Sequence, residues 1–464
     1  MPLALRVAGN RLASRPEWTV GDLVAGLDSE ERRLATLKAG DLAIESAFDL
    51  SYRHMDPDTR RLFRRLAILP ATSFSAEIAA QLIAPEDGVA DAEAGVDALV
   101  DLGMVQPVAG RRYRLHDLVR RFAAARLRDE EPPQERADAA RRLEDWLLDV
   151  ARSAGSHFEP AMEPQPVRDL ELPDRVTADR WLRQESAHWF RALQSAASGG
   201  RHARVVDVAR SLHWFSDRWL RWGRWLELFS LAADSAAAIG PAEHADLLGH
   251  VAWAQIVERE DFARAVETAR RAERLATEAG VVLPLAWATF YRAWAEARLG
   301  DLDGSVAAAR AAFDAFRSAR DAEGAAQALM LAVFALRQAG RDDEVQAHAD
   351  AVIAHLDREA LDDYVATCTR ANAAMYSAQA ARALGDLEGA LTWSERAVGY
   401  ADPIGFHRVA AESAAIHAAA QVELGRRDAA LAELEGVLGR FEATGERERA
   451  EETRRLRERL LAGA

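Results

Sequence analysis

Four short phrases decide the fold: Gly300-Asp301-Leu302, Gly340-Arg341-Asp342, Gly385-Asp386-Leu387 and Gly425-Arg426-Arg427. Glu260-Asp261-Phe262 stands 40 residues before the first of them, and the later spacings are 40, 45 and 40. Five residues after each leading position comes a small or β-branched residue: Ala265, Ser305, Val345, Ala390 and Ala430. Further pairs follow in register at Ala269/Ala272, Ala309/Ala312, Ala349/Val352, Ser394/Ala397 and Leu434/Val437. A fixed period of this length predicts a solenoid of stacked helices. The leading glycine closes one helix, and the small residues let the next cross its neighbour at close range.

On these residues the second half resembles tetratricopeptide repeats with longer helices than usual. Gly200 and Gly223 suggest degenerate repeats before the regular ones, so the array is expected over 176–464. Acidic and basic residues interleave through 440–459, which fits a solvated helix capping the array.

Upstream, the chain reads as helices around one hairpin. Leu42 to Tyr52 has helical spacing at Ile44, Phe48 and Leu50. Asp56-Pro57 is a helix start, and Pro57–Leu69 presents Leu62, Phe63, Leu66 and Ile68 on one face before Pro70 stops it. Ser75 can cap a short helix over 76–83, and a third helix, Asp91–Leu102, ends at Gly103. Two alternating runs, Met104–Val108 and Arg112–Leu115, flank Ala109-Gly110 and predict a β-hairpin. Three helices and a hairpin make a winged-helix layout over 51–130. Helix resumes at Asp117–Arg128, breaks at Pro132-Pro133 and returns over Gln134–Ala151, and four prolines within 154–175 mark an irregular connection. The expected class is mainly α: a small winged helix, then an α-α superhelix, with 131–175 between them.

Composition narrows the function. The 464 residues carry a formal charge of −15, a poor fit to a non-specific DNA or anionic-membrane binder. Cys368 is the single cysteine, so no disulfide framework forms and a reducing cytoplasm suits the chain. No apolar run is long enough to span a membrane. His348 and His355 lack a carboxylate cluster, no catalytic constellation stands out, and no metal or catalytic residue is expected.

Several phrases upstream of the array match one family. They are Pro2-Leu3-Ala4-Leu5, Leu50-Ser51-Tyr52 with Asp56-Pro57 and Leu62-Phe63-Arg64-Arg65-Leu66, Arg112-Tyr113-Arg114-Leu115-His116-Asp117-Leu118, and Trp181-Leu182 with Glu185. In this order they resemble bacterial STAND-type regulators of the antibiotic-regulatory kind, which join an NB-ARC nucleotide switch, a winged helix and a tetratricopeptide sensor. The resemblance implies that residues 1–50 are the remnant of a helical NB-ARC subdomain. It also implies that His116 senses a nucleotide phosphate, that Pro2 packs near the adenine, and that Asp117 caps the following helix. A Walker A loop requires Gly-x-x-x-x-Gly-Lys-Ser/Thr, and Lys38, the only lysine, lies in Thr36-Leu37-Lys38-Ala39-Gly40. No cofactor is therefore expected on this chain alone, and ADP or ATP only with a nucleotide-binding domain in cis or in trans. His116 can equally be a polar residue at the junction of hairpin and helix.

Three further features have two readings each. Asp91, Glu93, Asp97 and Asp101 on the helix before the hairpin would be repelled by a phosphate-lined groove, so the winged helix is expected as a switch or hinge module rather than as a DNA reader. Arg60, Arg61, Arg64 and Arg65 form either a solvated face or a contact with an acidic surface. Six of the twelve tryptophans lie between 181 and 225, and Trp219, Trp222 and Trp225 recur every three residues. They are either packing between the first array helices or an anchor for a partner. The expected function is a regulatory module whose repeat surface binds a protein or small effector, with self-association possible. A stand-alone adaptor without a nucleotide link is the other reading.

Overall fold

The computed structural model describes residues 17, 19–22 and 42–462, apart from 84–87, 160, 161, 362, 445 and 446. Pro2, Lys38 and most of the expected NB-ARC remnant lie outside the described residues. The chain divides into two compact units, residues 1–220 and 221–464. Among the described residues, no helix is long and apolar enough to cross a membrane.

The first unit opens with α1 (Leu42–Arg53) and α2 (Pro57–Arg65), which a 3-10 turn extends to Ile68. Asp56 caps α2 as its sequence requires, accepting from the Asp58 and Thr59 amides at 3.0 and 2.9 Å. Next come β1 (Ser73–Ser75), α3 (Ala76–Ala80), α4 (Val89–Asp101), β2 (Val105–Val108), β3 (Arg112–Leu115) and α5 (Asp117–Glu130). The hairpin forms where the alternation placed it. A third strand, β1, was not expected: it pairs antiparallel with β3, Phe74 opposite Tyr113, giving the order β1-β3-β2. Ser75 ends that strand and also caps α3. Phe48, Tyr52, Phe63 and Phe122 meet with ring centroids 5.7–6.0 Å apart, so α1, α2 and α5 share one core.

Helix α6 (Pro133–Ser156) runs five residues past the expected end. The proline-rich segment behind it is irregular but tied down: its Gln165 and Arg168 carbonyls accept from Ser153 Oγ at 2.6 Å and Trp146 Nε1 at 2.8 Å. Helices α7 (Arg175–Gln184), α8 (Ser186–Ser198), α9 (His202–Ser211) and the short α10 (His213–Ser216) complete the unit. Gly155 lets α6 and α9 touch backbone to side, since a Cβ there would lie 2.5 Å from the Ser211 carbonyl oxygen. Gly155→Ala is expected to lower the stability of this unit by about 1–3 kcal/mol through overpacking. An unchanged urea midpoint would show that the two helices can separate at no cost.

The second unit is a repeat array: α11 (Trp225–Ala237), α12 (Pro241–Val257), α13 (Phe262–Ala279), α14 (Val282–Leu299), α15 (Leu302–Ala319), α16 (Ala322–Gln338), α17 (Asp342–Leu356), α18 (Asp363–Ala383), α19 (Leu387–Ala401), α20 (His407–Glu423), α21 (Arg427–Thr444) and α22 (Arg447–Ala462). The leading glycines 300, 340, 385 and 425 all take positive φ, between 71° and 87°. Glu260, which fills the same place in the first repeat, is held at φ 52° although it is not glycine. The position therefore imposes the turn, whatever residue occupies it. All ten residues of the register pairs and the five before them are buried, and all but Leu434 are small or β-branched, as close helix crossing requires. The one spacing of 45 is absorbed by the 21-residue α18 and the loop before it.

The residue after the glycine carries a second code. Where it is Asp (261, 301 and 386), its carboxylate caps the next helix by accepting from the amide three residues on. Where it is Arg (341 and 426), the guanidinium reaches an acid 38 residues earlier, Asp303 or Glu388, and no side chain caps the helix after Arg341. Each repeat thus uses this position either to cap itself or to tie itself to its predecessor.

Candidate functional site

Within the second unit, α12, α14, α16, α18 and α20 each pack on the next of the series, while α13, α15, α17 and α19 pack chiefly on the helices that flank them in sequence. The row whose members approach one another directly forms the inner row of the array. Six residues before Gly300, Gly340 and Gly385 stand Trp294, Phe334 and Gln379, and thirteen before Gly340 and Gly385 stand Gln327 and Asn372. All five are half-buried on inner helices. Trp294 meets Phe290 at 6.3 Å, and Phe334 meets Tyr376 of the next inner helix edge-on at 6.2 Å. Asn372 donates to the Cys368 carbonyl at 2.9 Å, which leaves its Oδ1 as an acceptor. Burial raises the Tyr376 phenol above its ordinary value. This uncharged strip of aromatic faces and carboxamides offers apolar contact and main-chain hydrogen bonding together. Sequence reading passed over it, yet the shared offset from Gly300, Gly340 and Gly385 marks it; the same offsets from Gly425 give Ala419 and Glu412, where the strip ends.

Those tryptophans are engaged in packing. Trp219 lies under the Arg183 guanidinium at 5.1 Å and against Phe215. Trp222 stands edge-on to Trp225 at 4.6 Å, and Trp225 stacks on Phe229. Trp225 is wholly buried and offers no surface to a partner, so the anchor expectation fails for that residue. The even spacing does not give one stripe either, because the segment is a 3-10 turn at 220–222 and α-helix only from 225.

One titratable pair sits between inner and outer helices. His417 Nδ1 on α20 is 2.6 Å from Glu433 Oε2 on α21. That bond, with the Glu433 and Glu395 charges, lifts the imidazole above its ordinary 6.5 against the pull of burial. A raised folded value means the pair contributes fully below 6.5 and is lost as pH rises through the folded value. His417→Gln is therefore expected to flatten the fall in melting temperature on going from mildly acidic to alkaline buffer, by less than about 1 kcal/mol for so exposed a pair. Parallel pH profiles for both proteins would sink the assignment.

In the first unit His116 is exposed and sits one residue before α5. It is the cap of that helix, Nδ1 accepting from the Leu118 amide at 3.3 Å. Asp117, expected to cap, is instead the first helical residue. In the neutral ring this leaves the proton on Nε2, a donor. His348 and His355 do not act together: His348 Nε2 faces Arg310 at 3.0 Å, and His355 Nε2 meets the Ala322 carbonyl at 2.8 Å. On α4, Asp91, Asp97 and Asp101 are exposed, and Glu93 pairs with Arg111. The arginine run divides. Arg61 pairs with Asp58 on the surface, while Arg64 and Arg65 turn inward onto Glu130 and Glu131 at the end of α5. The acidic contact is intramolecular.

No family model matches the chain. Regulatory protein AfsR of Streptomyces griseus is 37% identical over 219 residues, which are 45% of this chain and 22% of that protein. The chain is similar to AfsR over less than half of its own length. The Streptomyces coelicolor (strain ATCC BAA-471 / A3(2) / M145) AfsR is 35% identical over 218 residues, again 45% of this chain and 22% of that protein. The chain thus spans about a fifth of the length of these curated relatives. Among solved structures, the STAND protein with a tetratricopeptide repeat sensor PH0952 from Pyrococcus horikoshii covers 95% of this chain and 66% of its own, at 13% identity and TM-score 0.45. A Rap protein complexed with Competence and Sporulation Factor covers 68% of this chain and 84% of its own, at 12% identity and TM-score 0.44.

Proposed function

We propose that this chain is the partner-sensing portion of a STAND-type regulator and carries no catalytic centre of its own. The observation that carries the reading is the strip on the inner row: Trp294, Phe334 and Gln379 at one repeat-equivalent position, Gln327 and Asn372 at another, and Tyr376 against Phe334, all half-buried and uncharged. Aromatic faces supply affinity at low entropic cost, and carboxamides can pair with the backbone of a bound segment. The occupant is a protein segment or small effector. Partial identity to a regulatory protein supports the same reading.

The link to nucleotide rests on His116. A nucleotide-binding domain, in cis or in trans, would place a phosphate where Nε2 can donate to it. Pro2 belongs to the same proposal through the resemblance alone. The winged-helix-like module acts as a switch or hinge, since the carboxylates of α4 would be repelled by DNA.

The test is capture by a photo-crosslinking residue placed at Phe334 in the full chain, followed by binding of the captured partner to the Trp294→Ala/Phe334→Ala/Tyr376→Ala variant. We expect at least tenfold weaker binding with unchanged helicity. Binding equal to wild type would remove the strip from the function, and substrate turnover by the purified chain would overturn the non-catalytic reading.

A further inference from the structure

Two phrases 73 residues apart in sequence meet in the interior of the first unit. Arg112 of β3 grips the Glu185 carboxylate with both terminal nitrogens, one at 3.1 Å, and its other donors hold Ser73 Oγ and the Ser73 carbonyl of β1. One guanidinium therefore joins two strands of the sheet to a residue far along the chain. The Glu185 side chain is 3% exposed and that of His188 is 1%. Burial alone would raise the Glu185 carboxyl, but His188 and Arg112 outweigh it and hold it below the usual carboxylate range.

Glu185 is also where the backbone bends. It separates α7 from α8 with φ −100° and ψ 13°, while its amide still bonds back to Trp181 and its carbonyl still accepts from His188 and Trp189. The helices on either side are intact, so the bend is confined to one residue. Beside it lies a cleft of about 250 Å³ lined by Arg112, Leu170, Leu172, Thr177, Trp181 and Glu185.

The third member makes the cluster costly to keep. His188 Nδ1 pairs with Glu185 Oε2 at 3.0 Å, while its Nε2 meets no hydrogen-bond partner among the described residues. A buried polar atom left without a partner opposes the closed arrangement. A strong fork is thus set against an imidazole with one stranded nitrogen, at a single-residue bend beside a cleft.

We propose that Arg112, Glu185 and His188 form a release latch between the three-stranded sheet and the α7–α8 corner, and that opening it transmits a change at the hairpin to the helices beyond the corner. The latch adds regulation within the first unit and does not depend on the partner strip of the second. His188 is stored opposition to closure, and Arg112 is a positioning residue acting through Glu185.

Amide hydrogen exchange of the full chain tests this. In Glu185→Gln and in Arg112→Ala, protection should fall at least tenfold in both the 73–75/112–115 strands and the 176–198 helices, with residues 221–464 unchanged. The double variant should loosen no further than either single one, because both remove the same contact. His188→Leu should raise protection in both segments; a merely structural histidine would lower it. Loosening confined to the mutated segment, additive effects, or a drop in protection with His188→Leu would overturn the latch. Should Glu185→Gln leave no folded protein, Arg112→Lys keeps the charge, loses the fork and carries the same test.

Discussion

Glu131→Ala is expected to destabilise the first unit by about 3–5 kcal/mol, because it strands a buried guanidinium. Glu131 and Arg65 are 3% and 7% exposed, and Arg65 Nε lies 2.9 Å from Glu131 Oε2. Arg64 takes the other carboxylate oxygen at 3.0 Å, and Arg65 also donates to the Leu82 carbonyl at 2.9 Å. The network continues through Tyr52, which donates to Glu130 at 2.6 Å and accepts from Arg64 at 2.7 Å. Burial and the Glu130 carboxylate push the Tyr52 phenol up to about 12. Three helices, α1, α2 and α5, end on this network, so its loss should reach all of them. The pair need not add net stability. An Arg65→Met/Glu131→Leu double variant should recover most of the loss, since two apolar side chains leave nothing unpaired. Urea unfolding of the full chain, followed through the transition of the first unit, gives both numbers. A cost below about 1 kcal/mol for Glu131→Ala would mean that water or Glu135, 3.5 Å from Arg65, solvates the freed guanidinium.

The same network shows where sequence reading stops. Arg64 and Arg65 could be read as a solvated face because nothing local distinguishes them. Their partners are 66 and 67 residues away at the end of another helix. The one sequence sign was the acidic run Asp129-Glu130-Glu131, complementary in charge to the arginine run. Strand β1 was hidden for a related reason. Three residues cannot show alternation, and only pairing with Arg112–Arg114 makes them a strand. The array was legible because its determinants are local and repeated: a glycine turn, an Asp cap, and small residues one and two turns on. Even the exception was readable, since Glu260 keeps the place of glycine and the structure gives it the left-handed turn. The inner strip was equally periodic, but periodicity identifies a position without saying which side of the helix is free. That depends on which helices touch, and only the packing of α12 through α20 answers it.

Trp225→Ala is expected to cost about 3–5 kcal/mol in the second unit, the range for removing a large buried aromatic. The indole is fully buried and stacks on Phe229 at 5.7 Å, and Phe229 in turn meets Trp253 edge-on at 6.0 Å. The same residue begins α11, where no neighbouring side chain caps the helix. Glu258 does so from the end of α12, accepting from the Trp225 and Leu226 amides at 3.1 and 2.9 Å. Side chain and backbone of Trp225 therefore dock α11 onto α12 together, and truncation should loosen the cap as well as open a cavity. Trp222→Ala, which removes a half-buried ring leaning on Trp225, should cost less than about 2 kcal/mol. The contrast separates packing from recognition. If the tryptophans serve packing, the stability losses rank with burial, and binding of a partner captured at Phe334 is unchanged in whatever protein remains folded. If Trp222→Ala weakens that binding without a matching loss of stability, the partner surface extends from the inner strip to the start of the array. A cost below about 1 kcal/mol for Trp225→Ala would mean that α11 is not docked on α12 in solution, and the regular array would then begin at α12.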